Sequence, residues 1–463
     1  MSNPKIGLLP LYFIMYDETM PSMRPRVCAF YENIRTEFVK RDIDVVTAPI
    51  CRLKDEFFEA IRYFEQKQVD AIVTIHLAYS PSLESSEALA STKLPVIVLD
   101  TTQNYDFSPC QSSAEILYNH GIHGVQDMCN VLIRNHKEFA IEAGHWETSN
   151  VIERVAGWAR AANFARSIKN ARVGRIAEPV KEMGDFAVPE DVIKDTIGIE
   201  TVSCGLDVIK ELAQSIGDED IIKEMSENSL MFNIINLDDV IHRNTARICL
   251  AVRRWIERER LSAFTFNFST FTKASGLPAI PFLEASKAMA RGIGYAGEGD
   301  VITAAFVGAL SSVFPETSFA EMFCPDWRNN TIFLSHMGEM NTNLTAEKPI
   351  LVEKVYQFSD IGNPAVAYGR FKEGDAVLAD LAPGPNGTYI LVVVPVTVIK
   401  ILGKDNMEDS IHGWFKPLIS ISDFLEKYSV AGGSHHLALV YGNNVQCIEK
   451  IGKIMGWKVT VIK

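Results

Sequence analysis

Carboxylates and imidazoles collect in the last third of this chain. Glu298 stands between Gly297 and Gly299 in the turn GEGD. Glu321 lies between Phe319 and Phe323 in TSFAEMF, and His336 ends the short apolar run TIFLSH. The adjacent pair His435-His436 follows Ala-Gly-Gly near the C-terminus. Singly, each has a plain reading: a loop glutamate, an exposed helix face, a core histidine. Together, two carboxylates and two imidazoles from separate elements would make a mixed oxygen–nitrogen metal site. The flanking glycines let Glu298 project from a tight turn, and a carboxylate buried between phenylalanines is costly unless paired or metal-bound. Such donors suit Mn²⁺, Fe²⁺, Co²⁺ or Zn²⁺ better than Ca²⁺ or Cu⁺. An oxygen-rich, water-open site favours Lewis-acid chemistry over structural zinc.

Other motifs are weaker. Gly292-Ile-Gly294-Tyr-Ala-Gly297 matches G-x-G-x-x-G, but a dinucleotide fingerprint must follow a strand and open a helix. Here the glycines follow a helical run, so they read as a flexible turn freeing the backbone around Glu298, and a nucleotide-dependent oxidoreductase has no further support. Ser434 beside His435 lacks the nucleophile elbow G-x-S-x-G of a hydrolase. His120, His123 and His145 are further polar candidates for orienting or contacting a substrate.

The elements that must carry these residues follow from composition and periodicity. At 463 residues, 47% hydrophobic and 22% charged, the chain has material for two or three globular domains. The net charge of −13 argues against a nucleic-acid or anionic-membrane surface. No apolar run approaches the roughly 20 residues that span a bilayer. The N-terminal MSNPKIGLLPLYF lacks signal-peptide features, and the eight cysteines include no C-x-x-C. A soluble cytoplasmic protein without disulfides is expected.

Short apolar runs (KIGLLPLYF, DVVTAPI, AIVTIH, PVIVLDT) alternate with amphipathic helices over the first hundred residues. This pattern predicts an α/β fold with a parallel sheet covered on both faces, and places Tyr12, His76 and Asp100 to Thr102 at the rim beyond the strand ends. A second α/β unit starts near Arg172, with PAIPFLEASKAMARGIG running as a helix into the GEGD loop and Asp300 as N-cap of the next helix. After Phe314 the pattern turns to strands and ends in a short α/β tail. The expected domains are 1–165 (Rossmann-like), 166–313 (central α/β) and 314–463 (β-rich).

At these residues the sequence resembles the L-arabinose isomerase/L-fucose isomerase superfamily, more its arabinose side. The matching pieces are GIHG (121–124), GHW and ERVAGW (144–146 and 153–158), GYAGEGDVITAA (294–305), TSFAEMF (317–323), SHMGE (335–339) and AGGSHH (431–436), in order over most of the chain. The resemblance implies two Rossmann-like domains and a barrel-like β-rich one. It implies a homo-oligomer, tetramer or hexamer, with active sites between subunits. It also implies a Mn²⁺-dependent aldose–ketose isomerase acting on a sugar through an enediol(ate). By position the metal ligands would be Glu298, Glu321, His336 and His436, with His435 open as the alternative within the pair. Glu298 and Glu321 would serve as acid and base. His123 would contact the sugar of a neighbouring subunit's site, with Tyr12 and His435 as further substrate contacts. The departures, LLPLYFIMYDE at the first strand end and Val180 where the family has methionine, fall in the substrate pocket. They leave open a pentose, a hexose or an acidic sugar such as sulfoquinovose, for which Arg24, Arg26 or Arg175 could supply the cation. The alternative is a non-catalytic sugar-binding or regulatory protein on the same scaffold, but binding alone needs no set of glutamates and histidines.

Overall fold

Strands rich in Val, Ile and Leu, buried on both sides, need helices over both faces. The first segment of the chain obeys that rule. A computed structural model describes residues 3–463, and the chain divides into two compact units, Ser2–Arg166 and Ser167–Lys463. In the first unit β1 (Lys5–Leu11), β2 (Asp44–Thr47), β3 (Ala71–His76), β4 (Val96–Asp100) and β5 (Phe139–Ala143) form a parallel sheet in the order β2-β1-β3-β4-β5. The helices Lys54–Gln66 and Ile122–Arg134 bring Phe57, Phe64, Met128 and Leu132 to a core shared with Leu9, Ile72 and Val98.

In the second unit β6 (Arg172–Ile176), β7 (Glu200–Cys204), β9 (Ala263–Phe266) and β10 (Gly294–Gly297) make a second parallel sheet in the order β10-β9-β6-β7. The short β8 (Asn233–Ile234) instead joins β13 (Ile350–Glu353) and β14 (Ala365–Tyr368) in a three-stranded sheet. The flexible turn expected at GIGYAG is corrected here. The preceding helix ends at Ala290, and Gly294–Gly297 is a fully buried strand in register with β9. Four small residues are too few for a period to show in sequence, yet they fit a parallel position under a helix.

The β-rich part closes on itself. β11 (Thr317–Asp326), β12 (Thr331–Ser335), β15 (Gly374–Pro383), β16 (Tyr389–Val398), β17 (Gly413–Pro417) and β18 (His436–Tyr441) run antiparallel in the order β15-β18-β11-β12-β17-β16. Pairing of β15 with β16 completes a six-stranded barrel, which leaves no free edge. β19 (Lys458–Val461) adds in parallel to β16. The expected α/β tail is therefore corrected as well. Its first strand, β18, is a stave between β11 and β15, buried along its whole length. Between sheet and barrel lies the helix Val301–Val313, apolar on all sides and almost wholly buried, as such a helix must be. Among the described residues no helix is long and apolar enough to cross a membrane.

Candidate metal centre

The turn from β10 into the helix Val301–Val313 carries Glu298. Its backbone is left-handed, φ 67°, which a residue with a Cβ keeps only where its surroundings enforce it. Thr265 on β9 enforces it: Oγ1 accepts from Gly299 N at 3.0 Å and donates to Gly297 O at 3.2 Å. Gly299 follows at φ 95°, and a Cβ there would meet Pro179 Cα at 2.5 Å. Gly297 is required for close approach. A Cβ on it would lie 3.0 Å from His336 Cε1 and 3.8 Å from His436 Nε2.

The barrel delivers the remaining side chains. Glu321 on β11 is the direct antiparallel partner of His436 on β18, so both leave one face of the sheet. On its other edge Glu321 pairs with Ser335, the last residue of β12, which brings His336 alongside. His436 Nε2 lies 3.3 Å from Glu321 and 3.5 Å from Glu298. His435 Nε2 is 3.4 Å from each of the same carboxylates, and His336 Nε2 is 3.9 Å from Glu321. One donor atom from each of Glu298, Glu321, His435 and His436 lies within 4.8 Å of the others. His336 falls outside that tightest set. Its ring centroid is 6.1 Å from that of His436.

Each imidazole is held from behind by a carboxylate. His436 Nδ1 is 2.9 Å from Asp300, His336 Nδ1 is 2.7 Å from Glu339, and His435 Nδ1 is 2.6 Å from Asp185. This arrangement fixes the tautomer and orientation of metal-ligating histidines and leaves Nε2 free to bind. His436 Nε2 is buried with no hydrogen-bond partner in the protein. That orphaned nitrogen, facing two buried glutamates, fits a divalent cation of the Mn²⁺, Fe²⁺, Co²⁺ or Zn²⁺ group. His336 and His436 are almost fully enclosed, whereas the His435 side chain is 38% exposed.

The charges compensate one another. Burial alone would raise the Glu298 carboxyl, but the neighbouring His435 and His436 imidazoles bring it down to about 2. Burial works against protonation of His435, yet Asp185 and Glu298 carry it up to about 9. Desolvation likewise opposes charge on His436 and His336, and Asp300 and Glu339, respectively, outweigh it.

The three supporting carboxylates were not read as site residues in the sequence. Asp300 is legible only as an N-cap, and it does cap: one oxygen accepts from Thr303 N at 2.9 Å while the other holds His436. Glu339, three residues after His336 in SHMGE, carries a spacing signal. Asp185 carries none.

Tyr12 and His123 belong to the other unit. Tyr12 follows β1 and is buried, its hydroxyl without a protein partner, as are both ring nitrogens of His76 at the end of β3. His123 is exposed near the start of its helix, 5.8 Å from His120 by ring centroids. The arginines considered for an anionic substituent already face carboxylates: Arg24 with Asp17 at 3.5 Å, Arg26 with Glu115 at 2.6 Å, Arg175 with Glu190 at 2.7 Å.

Known proteins agree with this architecture. Residues 165–314 match the L-arabinose isomerase central domain, and residues 316–458 match the L-arabinose isomerase C-terminal domain. An L-arabinose isomerase of Shouchella clausii is 24% identical over 98% of this chain and 93% of its own length. One of Anoxybacillus flavithermus is 27% identical over 86% of this chain and 81% of its own. Among solved structures, a periplasmic solute-binding protein of Actinobacillus succinogenes with bound D-allose is 15% identical over 67% of this chain and 91% of its own. Its TM-score of 0.16 is too low to bear on fold or function. The chain is thus an enzyme of the aldose–ketose isomerase class. It belongs to the L-arabinose isomerase/L-fucose isomerase superfamily.

Proposed function

We infer that this enzyme is a divalent-metal-dependent isomerase interconverting an aldose and its ketose, with Mn²⁺ as the assigned metal and Co²⁺, Fe²⁺ or Zn²⁺ as alternatives. The observation that carries the reading is the orphaned His436 Nε2 facing Glu298 and Glu321 while Asp300 holds the opposite nitrogen. Glu298, Glu321, His336 and His436 are the proposed ligands. His435, close to both glutamates but partly exposed, is assigned to the sugar. Tyr12 and His123 are assigned to the sugar as well, in a cytoplasmic homo-oligomer of four or six chains with sites between subunits. L-arabinose is the named substrate of the relatives; another pentose, a hexose or an acidic sugar remains within the proposal.

The reaction moves a hydrogen from C2 to C1 and a proton from O2 to O1. One carboxylate takes the C2 proton, the electron pair forms the C1–C2 double bond, and O1 is protonated. Return of a proton to C1 and loss of one from O2 gives the ketose. Glu298 and Glu321 are the pair assigned to exchange the roles of base and acid, and both lie within 3.5 Å of His436 Nε2. A divalent cation bound there would act as a Lewis acid on the sugar oxygens and offset the enediolate charge, worth several kcal/mol. Glu298→Gln tests the assignment. Ketose formation should fall at least about 100-fold with the melting temperature and circular dichroism unchanged. Activity within a few fold of wild type contradicts it.

A further inference from the structure

Beyond the proposed ligands and acid–base pair, one buried hydroxyl near the site has no occupation. Tyr356 sits in the connection between β13 and β14, only 6% exposed, and its hydroxyl has no partner in the protein. A buried hydroxyl left unpaired costs about 1–3 kcal/mol. The ring is fixed by an aromatic wall, with centroids 5.8 Å from Phe282 and 5.6 Å from Phe358. That wall continues from Phe282 to Phe266 and on to Tyr295, at 5.8 and 5.5 Å. Tyr295 donates to Glu339 at 2.7 Å, the carboxylate whose other oxygen holds His336.

The connection itself is pinned. Lys354 N donates to Pro364 O, Tyr356 N to Asn363 Oδ1, and Ser359 Oγ to Phe271 O, while Asp360 accepts from Lys273 N. Burial first, then the carboxylates of Glu339 and Glu298, push the Tyr356 hydroxyl above its ordinary range. The phenol keeps its proton and can donate, and the aromatic wall connects it through Tyr295 to Glu339, the carboxylate behind His336.

We propose that the Tyr356 hydroxyl is a specificity-determining group, which takes a hydroxyl of the bound sugar as its hydrogen-bond partner. The inference rests on the isomerase reading and adds to it a group outside the proposed ligand and acid–base set. An orphaned hydroxyl facing a polyol gains a partner only when the matching sugar hydroxyl is present. A site built this way rejects an analogue lacking that hydroxyl far more strongly than an apolar wall would.

Tyr356→Phe keeps the ring and removes one oxygen. With the aldose that wild type isomerises best, the variant should show KM raised about tenfold, matching roughly 1.4 kcal/mol for one hydrogen bond, with kcat within a few fold. Its Mn²⁺ affinity should be unchanged and its melting temperature equal or higher, because a purely structural hydroxyl would cost stability when lost. A series of mono-deoxy sugars gives the sharper readout. Wild type should discriminate against one of them by at least tenfold, and the variant should not. Unchanged KM and unchanged discrimination across the series overturn the proposal while leaving the isomerase reading intact. If wild type isomerises no aldose, the isomerase reading falls, and equilibrium binding of the same sugars reads Tyr356 by itself. Weaker binding to the variant supports it, whereas equal affinities, or no binding to either protein, overturn it.

Discussion

The Nδ1 of His436 lies 2.9 Å from Asp300, and its Nε2 faces Glu321 at 3.3 Å. One aspartate so joins the parallel sheet to the barrel: it caps the helix after β10 and orients an imidazole on β18. Asp300→Asn separates the two tasks, since asparagine caps a helix as well as aspartate does. The melting temperature should hardly move, while Mn²⁺ affinity measured by titration calorimetry falls about 10–100-fold. Unaltered affinity would remove Asp300 from the account of the site.

A second aspartate predicts a pH effect on stability. Asp380 on β15 is fully enclosed, and burial pushes its carboxyl up to about 7, with hydrogen bonds from Tyr428 and Ser434 pulling back only part of that rise. The folded state therefore holds a proton that the unfolded chain, with the usual 3.8, has released. Its contribution is fully present below pH 4 and is lost as pH rises through about 7, by at most roughly 4 kcal/mol. Asp380→Asn mimics the protonated form. In urea unfolding the variant should gain on wild type as pH rises from 4 to 8, and parallel curves would refute the assignment.

Buried charge also holds the helix Phe282–Ala290 beside the site. Arg253 bonds Glu284 at 3.1 and 2.8 Å and Glu224 at 2.8 and 2.7 Å, and Lys287 joins Glu224 at 2.6 Å. Glu284 is completely buried. Removing one partner strands the others in the interior, so Glu284→Ala should cost about 3–5 kcal/mol in chemical denaturation. A loss below 1 kcal/mol would show that the network relaxes or takes up water.

How far the sequence reached can be judged residue by residue. Strands such as AIVTIH are legible because a buried parallel strand must be apolar at every position. The cap at Asp300 is legible because capping is local. β18 is not, since HLALVY between two helices looks the same whether it enters a parallel sheet or a barrel, and its partner strands are remote in sequence. Glu298 and the His435-His436 pair show because glycines flank them, and Glu321 because a carboxylate between phenylalanines is costly unless paired. Of their supporting carboxylates, Glu339 is signalled by its spacing from His336, whereas Asp185 stays hidden because its contact with His435, 250 residues away, is decided by tertiary packing.

The central claim meets its most direct test in a panel of neutral and acidic aldoses assayed for ketose formation, with Mn²⁺, after chelation, and after Mn²⁺ is restored. The account predicts that at least one aldose is converted, that the chelator abolishes conversion, and that Mn²⁺ restores it. Conversion that survives exhaustive chelation, or no conversion of any aldose with Mn²⁺, Co²⁺, Fe²⁺ or Zn²⁺, would contradict it.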